Sequence, residues 1–319
     1  MKKLFTILAV AAAVVACQKN ETIALDNGEA ISFGNAFVEN SVRAADPSYS
    51  ANDIKSFKVY GTVDGGQGAV VIYPGTVITK DGAEYNKAWT CPVQQYWIEG
   101  AQYKFVGIVD GKKSGVTETN TVDGMPTTIS YTADGATDLL CQTIDRKDDT
   151  SLVAFSFNHL LAKVNFTVKN NSKDADKYSF VVKNIAFAGN TAGVYDVAKA
   201  AWDADKFTTG STAVGNTRTV GETEVKDIVV ATTAASNELG TEVLFLPGTY
   251  SVSFTVDILY DGTVITTTNY PVSGSYSHTL EAGKAYNFIV EVAVGQKINF
   301  TVSAQPTWTN ANPNPSDLN

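Results

Sequence analysis

The stretch YSVSFTVDILYDGTVITTT, residues 250–268, decides the fold class. Apolar and polar residues alternate before Asp261-Gly262, and a period of two is typical of half-buried β-strands. The residues after the turn are threonine, valine and isoleucine, which are enriched in strands. Asp-Gly is a preferred pair for a type I′ turn, in which both central residues need positive φ. The sequence therefore predicts a β-hairpin from Tyr250 to Thr268.

The same alternation recurs along the chain, so the predicted fold class is all-β. Its clearest examples are residues 31–37, 57–63, 103–109, 153–157, 164–168, 178–182, 288–292 and 298–302. Residues 61–68 are rich in glycine, but no helical pattern follows, and we interpret them as a hairpin loop. Only residues 138–144 and 192–202 suit short helices.

The length of 319 residues allows about two domains. The polar stretch from Asp145 to Ser151 precedes a fresh series of strands, which places the predicted boundary near residues 158–163. We assign residues 44–160 to an N-terminal domain and 161–319 to a C-terminal domain. Many short strands separated by Gly, Asp and Asn turns favour β-sandwiches over a parallel α/β sheet.

The N-terminus has the pattern of an export signal. Lys2 and Lys3 precede an apolar run, residues 4–16, which is shorter than a membrane span. The run ends in small residues before Cys17 and so resembles the lipobox of bacterial lipoproteins. The resemblance implies that residues 1–17 direct export and that Cys17 receives the lipid that attaches the chain to the outer membrane. An ordinary signal peptide with a chance cysteine is the alternative.

Charge and cysteine content narrow the classes of partner. A net charge of −9 and a pI near 4.8 argue against a nucleic-acid partner, which needs a basic face. An exported protein is able to form a disulfide between Cys91 and Cys141, but spacing alone does not show that the thiols meet, and two unpaired thiols fit equally. Neither cysteine lies in a CxxC motif, so we predict no metal site and no cofactor.

Three stretches carry a resemblance to a known family. They are DLLCQTIDRKDDTSLVAFSFNHLLAKVNFTVKN (138–170), LEAGKAYNFIVEV (280–292) and INFTVSAQPTW (298–308). In this order and spacing, and together with the lipobox, they resemble the fimbrillins of the Bacteroidales, which are subunits or accessory proteins of type V surface pili. The resemblance implies two transthyretin-like β-sandwich domains in series, a location on the cell surface in the fimbrium, and other pilin subunits as partners.

The resemblance also implies a route of assembly. Shaft subunits of this family are exported as lipoproteins, and a trypsin-like protease then cuts them after an arginine. Arg43, followed by Ala44, stands where that cut is expected, so residues 18–43 form a tether and a removable first strand. Ile31, Phe33 and Phe37 of that strand are expected to fill a groove that a neighbouring subunit later occupies. An unprocessed loop arginine is the alternative interpretation of Arg43.

The donor strand is predicted within residues 298–319. Ile298, Phe300 and Val302 alternate as the side chains of an added strand do when they enter successive pockets. The family also contains anchor and tip proteins that are not cut, and the sequence does not decide between these roles.

No catalytic constellation is found: HExxH, a nucleophile elbow and a P-loop are all missing from the sequence. We interpret His159 as a structural residue at the domain junction and His278 as an exposed residue near a turn. The alternative function is a glycan-binding surface lipoprotein, which requires exposed coplanar aromatic rings. Its candidates are the four tryptophans, Trp89, Trp97, Trp202 and Trp308.

Overall fold

The protein is described from a computed structural model that covers residues 29–38, 54–80, 89–110, 115–120, 123–147, 152–220, 223–232, 236–240, 242–271 and 276–305. Within these ranges the chain is almost entirely β-strand. Its one helical element there is a 3₁₀ turn at Ala204–Lys206. No helix of the described part has the length and hydropathy that a membrane span requires.

The first half of the chain supplies nine strands. In chain order they are β1 Phe33–Val38, β2 Ser56–Asp64, β3 Ala69–Lys80, β4 Trp89–Thr90, β5 Gln102–Val109, β6 Val116–Asn120, β7 Pro126–Thr132, β8 Leu140–Lys147 and β9 Val153–His159. Seven of these strands form one sheet in the order β1-β9-β8-β5-β2-β3-β4. The β1–β9 pair is parallel, whereas the other pairs of this sheet are antiparallel.

The second half supplies thirteen strands. They are β10 Ala162–Asn170, β11 Tyr178–Asp196, β12 Ala201–Trp202, β13 Thr208–Val214, β14 Asn216–Val220, β15 Thr223–Val230, β16 Ser236–Glu238, β17 Val243–Phe245, β18 Gly248–Tyr260, β19 Thr263–Tyr270, β20 Tyr276–Leu280, β21 Ala285–Val292 and β22 Asn299–Gln305. A five-stranded sheet runs β16-β10-β21-β22, with β17 also on β10. A ten-stranded sheet is built around β11 and β18.

The five-stranded and ten-stranded sheets pack face to face as a sandwich. Phe166 of β10 meets Phe254 of β18 with ring centroids 5.7 Å apart, and Phe187 of β11 meets Phe288 of β21 at 5.0 Å. All four side chains are buried. Alternation along each strand places these residues on the inner face, which is the reason the period-two pattern is present in the sequence.

Tyr250 stabilises this sandwich through hydrogen bonding of its hydroxyl group. The Tyr250 hydroxyl oxygen lies 2.7 Å from the backbone oxygen of Asn190 and 2.9 Å from that of Leu246, and these two acceptors share its one proton. Its ring lies against Gly189, where an added Cβ would approach the ring to 2.3 Å. Glycine is therefore required at position 189 for the ring to lie flat on β11.

The chain passes from the seven-stranded sheet to the five-stranded sheet between His159 and Ala162, inside the interval predicted for the domain boundary. The buried His159 Nδ1 lies 2.5 Å from the carboxylate of Asp138, and the Trp202 indole donates to the backbone oxygen of Leu160 (2.8 Å). The hairpin β6–β7, however, pairs with β11 in the ten-stranded sheet. The two-domain division and the transthyretin-like assignment therefore stay predictions.

Both predicted helices are wrong. Residues 140–147 form β8, which pairs with β5, and residues 192–196 continue β11. The alanine-rich part after Asp196 makes a turn, with Ala200 at φ 50°, that leads into β12. Pairing with a neighbouring strand thus overrides the local helix propensity of alanine.

The hairpin predicted at residues 250–268 is confirmed. Strands β18 and β19 pair on either side of Asp261 (φ 47°) and Gly262 (φ 77°), the positive values that a type I′ turn requires. Residues 61–68 also lie in a hairpin, but its loop is shorter than predicted. Strand β2 continues to Asp64, whose side chain accepts from the amides of Gly66 (2.7 Å) and Gly68 (3.2 Å).

Candidate strand-exchange site

The segment of residues 29–38 closes the seven-stranded sheet. On one side β1 pairs with β9, and Val153 N–H donates to Ser32 O at 2.9 Å. On the other side Ile31 N–H donates to Gln95 O (2.8 Å) and Trp97 N–H donates to Glu29 O (2.9 Å). The sheet therefore curls until its two ends meet, and this segment lies between them.

The side chains of the segment enter the core of the curled sheet. Ile31 and Phe33 are each 4% exposed and Ala36 is 1% exposed. The Phe33 ring contacts four other aromatic rings, and its centroid distances are 5.3 Å to Tyr73, 6.1 Å to Phe105, 6.5 Å to Phe57 and 6.5 Å to Phe155. Phe33 thus lies at the centre of a cluster of aromatic side chains. The side chain of Phe37 lies outside the described residues.

Glycines in the groove make room for these rings. A Cβ added at Gly107 would lie 2.7 Å from Phe155 and 2.9 Å from Phe157, and one added at Gly61 would lie 2.9 Å from Tyr73. Aromatic side chains therefore pack directly on the backbone of the inner strands. Removal of β1 would leave an apolar slot lined by rings and bordered by unpaired backbone groups.

The predicted donor residues lie in the sandwich of the second half of the chain and not in the seven-stranded sheet. Ile298, Phe300 and Val302 are half-buried and pack on the core of the sandwich, where β22 pairs with β21 at the end of the five-stranded sheet. The Phe300 centroid lies 4.7 Å from Tyr276 and 5.0 Å from Tyr270. The alternate residues, Asn299, Thr301 and Ser303, are exposed.

The predicted lipidation site Cys17 and the predicted cleavage site between Arg43 and Ala44 lie outside the described residues, as does Trp308. Cys91 and Cys141 are both free thiols, and this excludes the disulfide alternative in this structure.

Other candidates from the sequence are packed as structural residues. The ring of His278 is half-buried, 5.4 Å from Tyr286 and 5.6 Å from Phe288, so its assignment as exposed is wrong. Burial lowers the pKa of His278. No group of three or more metal-ligating side chains occurs in the part of the chain that the structure describes.

The tryptophans that the structure describes do not form an exposed platform for a sugar. Trp97 is buried against Tyr103, Trp89 packs on Phe57, and Trp202 is held by the hydrogen bond of its indole. The arrangement that would favour glycan binding is therefore missing at these three positions.

Sequence reasoning missed a cluster of Lys58, Asp110 and Glu118. Lys58 Nζ contacts Asp110 Oδ2 and lies 2.8 Å from Glu118 Oε1, and the side chains are 28%, 8% and 12% exposed. Burial alone would lower the pKa of Lys58, but its hydrogen bonds to the two carboxylates raise the pKa above the ordinary value. The partners lie 52 and 60 residues from Lys58 in the chain, so no local motif signals the cluster.

Comparisons with known proteins agree with this architecture. A sequence model described as fimbrillin-like matches residues 43–306. A fimbrial protein from Bacteroides vulgatus has a similar structure at 13% identity, with a TM-score of 0.58 over 86% of this chain and 98% of that one. A candidate cell adhesion protein from Bacteroides ovatus has a TM-score of 0.54 at 14% identity, over 89% of this chain and 99% of that one. A candidate cell adhesion protein from Bacteroides uniformis has a TM-score of 0.50 at 19% identity, over 88% of this chain and 98% of that one. No curated protein matches the sequence.

Proposed function

Because the chain belongs to the fimbrillin-like family, we propose that it is a structural, non-catalytic subunit of a cell-surface pilus that assembles by strand exchange. The chain is exported as a lipoprotein through Cys17 and anchored in the outer membrane. A trypsin-like protease cuts it between Arg43 and Ala44. The first strand then leaves, and a strand from another pilin subunit takes its place.

The position of residues 29–38 in the core of the seven-stranded sheet is the observation that supports this proposal. The segment precedes the other described strands in the chain and fills the core of the curled sheet, with Ile31 and Phe33 each 4% exposed. It lies before the family match, which begins at residue 43. A cut after Arg43 would therefore separate the segment from all but the first residue of the matched range.

The energetics favour refilling the slot. Burial of a large apolar side chain stabilises by roughly 1.5–3 kcal/mol, so loss of Ile31 and Phe33 leaves about 3–6 kcal/mol to be recovered. An incoming strand recovers it by placing alternate apolar side chains in the slot and by pairing its backbone with β9. A two-residue periodicity in the donor fixes the register, because a slip by one residue turns its apolar face outward.

We propose that the donor lies within residues 298–319. Ile298, Phe300 and Val302 have the required alternation, but they cover the core of their own sandwich. Their release has a cost, which the acceptor groove has to offset.

A peptide-binding experiment tests strand exchange. The purified chain is cut after Arg43, the first strand is released in mild denaturant, and a labelled peptide of residues 298–319 is added. We expect the peptide to bind the cut and stripped chain but not the uncut chain, and a peptide with Phe300→Ser should bind more weakly. Equal binding to cut and uncut chains, or no binding to either, would contradict strand exchange into this groove.

N-terminal sequencing of protein taken from the cell surface tests processing. Ala44 at the N-terminus is expected for the wild type, and Arg43→Ala should retain the uncut form whereas the neighbouring Val42→Ala should not. A second candidate role, an uncut anchor or tip subunit, is favoured by the hydrogen bonds on both sides of residues 29–38, which hold the uncut strand in place. A blocked, lipid-bearing Cys17 would support that role and contradict the shaft role.

A further inference from the structure

The Lys58 cluster combines the groups that an amide bond between side chains requires. The Lys58 amine is in contact with the Asp110 carboxylate. Its nitrogen Nζ also lies 2.8 Å from Oε1 of the Glu118 carboxylate. An ordinary ion pair needs only two of these groups. The Glu118 carboxylate is therefore able to accept a proton while the Lys58 amine attacks the Asp110 carboxyl group.

Two different sheets bring the three groups together. Lys58 of β2 is paired with Ile108 of β5, and Asp110 lies two residues beyond Ile108, on the same face of the sheet. Glu118 lies on β6, which belongs to the ten-stranded sheet through β7. Lys58 and Glu118 thus lie on paired strands, and Asp110 lies one residue beyond the end of β5.

The surroundings of the cluster limit the access of water to its carboxyl groups. Tyr60 and Ile108, neighbours on the same face, belong to the buried core between the sheets. The carboxyl groups of Asp110 and Glu118 are mostly shielded from water. Restricted water and fixed geometry raise the effective concentration of the reactants, which reaches 10⁵–10⁸ M in well-oriented intramolecular reactions.

We propose that Lys58 and Asp110 form an intramolecular isopeptide bond, with Glu118 as the proton-transfer group. Glu118 transfers one proton from the Lys58 ammonium to the Asp110 carboxylate, and the neutral amine then attacks Cγ of the protonated Asp110 carboxyl group. A new N–C bond forms, and Glu118 takes a second proton from the attacking nitrogen and gives it to the leaving hydroxyl group. The C–O bond of the carboxyl group breaks, and the hydroxyl group departs as water. Ammonium and carboxylate thus give an amide and one water, with no change in net charge and no external reactant.

Asp110 is assigned as the acceptor because its side chain, 8% exposed, is more buried than that of Glu118, 12% exposed. The bond would join β2 to the end of β5 and close a loop of 52 residues in the seven-stranded sheet. It would hold these strands together under tension along the chain. The proposal does not depend on strand exchange, and failure of either leaves the other standing.

Peptide mapping of the folded full chain tests the bond. Trypsin does not cleave after an acylated lysine, so a linked protein should yield residues 56–80 joined to residues 105–112, lighter than the sum of the two peptides by one water. Recovery of residues 56–58 and 105–112 as separate peptides would overturn the proposal and leave an ion cluster only. A link from Lys58 to the peptide of residues 114–146, which contains Glu118, would overturn the assignment of Asp110.

Two variants and an internal control sharpen the test. Lys58→Arg keeps a cation between the carboxylates but has no amine that condenses, and Glu118→Gln removes the proton acceptor while retaining the shape. Both should yield unlinked peptides from folded protein. The internal control is Lys183, which lies 2.5 Å from Asp257 with a side chain 39% exposed. Its peptide, residues 178–183, should be released unlinked, and a link there would overturn the requirement for Glu118 and for burial.

Discussion

Replacement of Phe33 by alanine tests whether the first strand holds the seven-stranded sheet closed. The Phe33 side chain is 4% exposed and has four aromatic rings around it. Truncation of a buried phenylalanine to alanine costs about 3–5 kcal/mol, because the transfer energy is lost and a cavity remains. Domains are typically stable by about 5–15 kcal/mol, so the loss would be a large fraction of the total.

Urea unfolding of the full, uncut chain measures the effect. With a slope near 3 kcal/mol per molar urea, the transition of the seven-stranded sheet should move down by about 1 M or more. Ser32→Ala is the matched control: this neighbour on the same segment is exposed, and its replacement should stay within about 0.5 kcal/mol. The variant should also release the first strand at lower urea once the chain is cut after Arg43.

A result in which Phe33→Ala and Ser32→Ala unfold at the same urea concentration would refute this account. The segment would then contribute little to the closed sheet, and its removal would create no slot that favours a new strand. Assembly through this groove would have no energetic basis.

Three further predictions concern the rest of the molecule. Tyr250→Phe should destabilise the sandwich by about 1–3 kcal/mol in urea unfolding, because the backbone oxygens of Asn190 and Leu246 lose the hydroxyl proton that they share. An unchanged midpoint would contradict this role of the hydroxyl group. Burial raises the pKa of the Cys141 thiol to about 12, so iodoacetamide at mildly alkaline pH should label Cys141 only when the protein unfolds. The half-buried Cys91 should be labelled sooner, and the reverse order of labelling in peptide maps would contradict this prediction. Burial lowers the pKa of His278 in the folded state, so the unfolded state binds more protons as the pH falls through the ordinary value of about 6.5. Stability is then lost on acidification, and His278→Asn should lose less than the wild type between neutral pH and about pH 5 in the same unfolding assay; equal losses would contradict the assignment.

The sequence by itself determined the strands and the family. Alternation of apolar and polar residues is a local property, so it predicted the strands around Phe33, Phe166 and Phe300 without knowledge of their partners. The turn at Asp261-Gly262 was predictable because type I′ geometry depends on two adjacent residues. The order of three short motifs was sufficient for the resemblance to fimbrillins, which the family match confirms.

Only the tertiary structure decided which strands meet. Nothing in the local sequence shows that residues 29–38 close a curled sheet, that β7 pairs with β11, or that residues 140–144 are strand and not helix. These outcomes depend on hydrogen bonds and burial between residues far apart in the chain, which compete with local propensity and override it. The Lys58 cluster has the same origin: its charges come from segments 52 and 60 residues apart, and only the pairing of β2 with β5 and the packing of β6 bring them into contact.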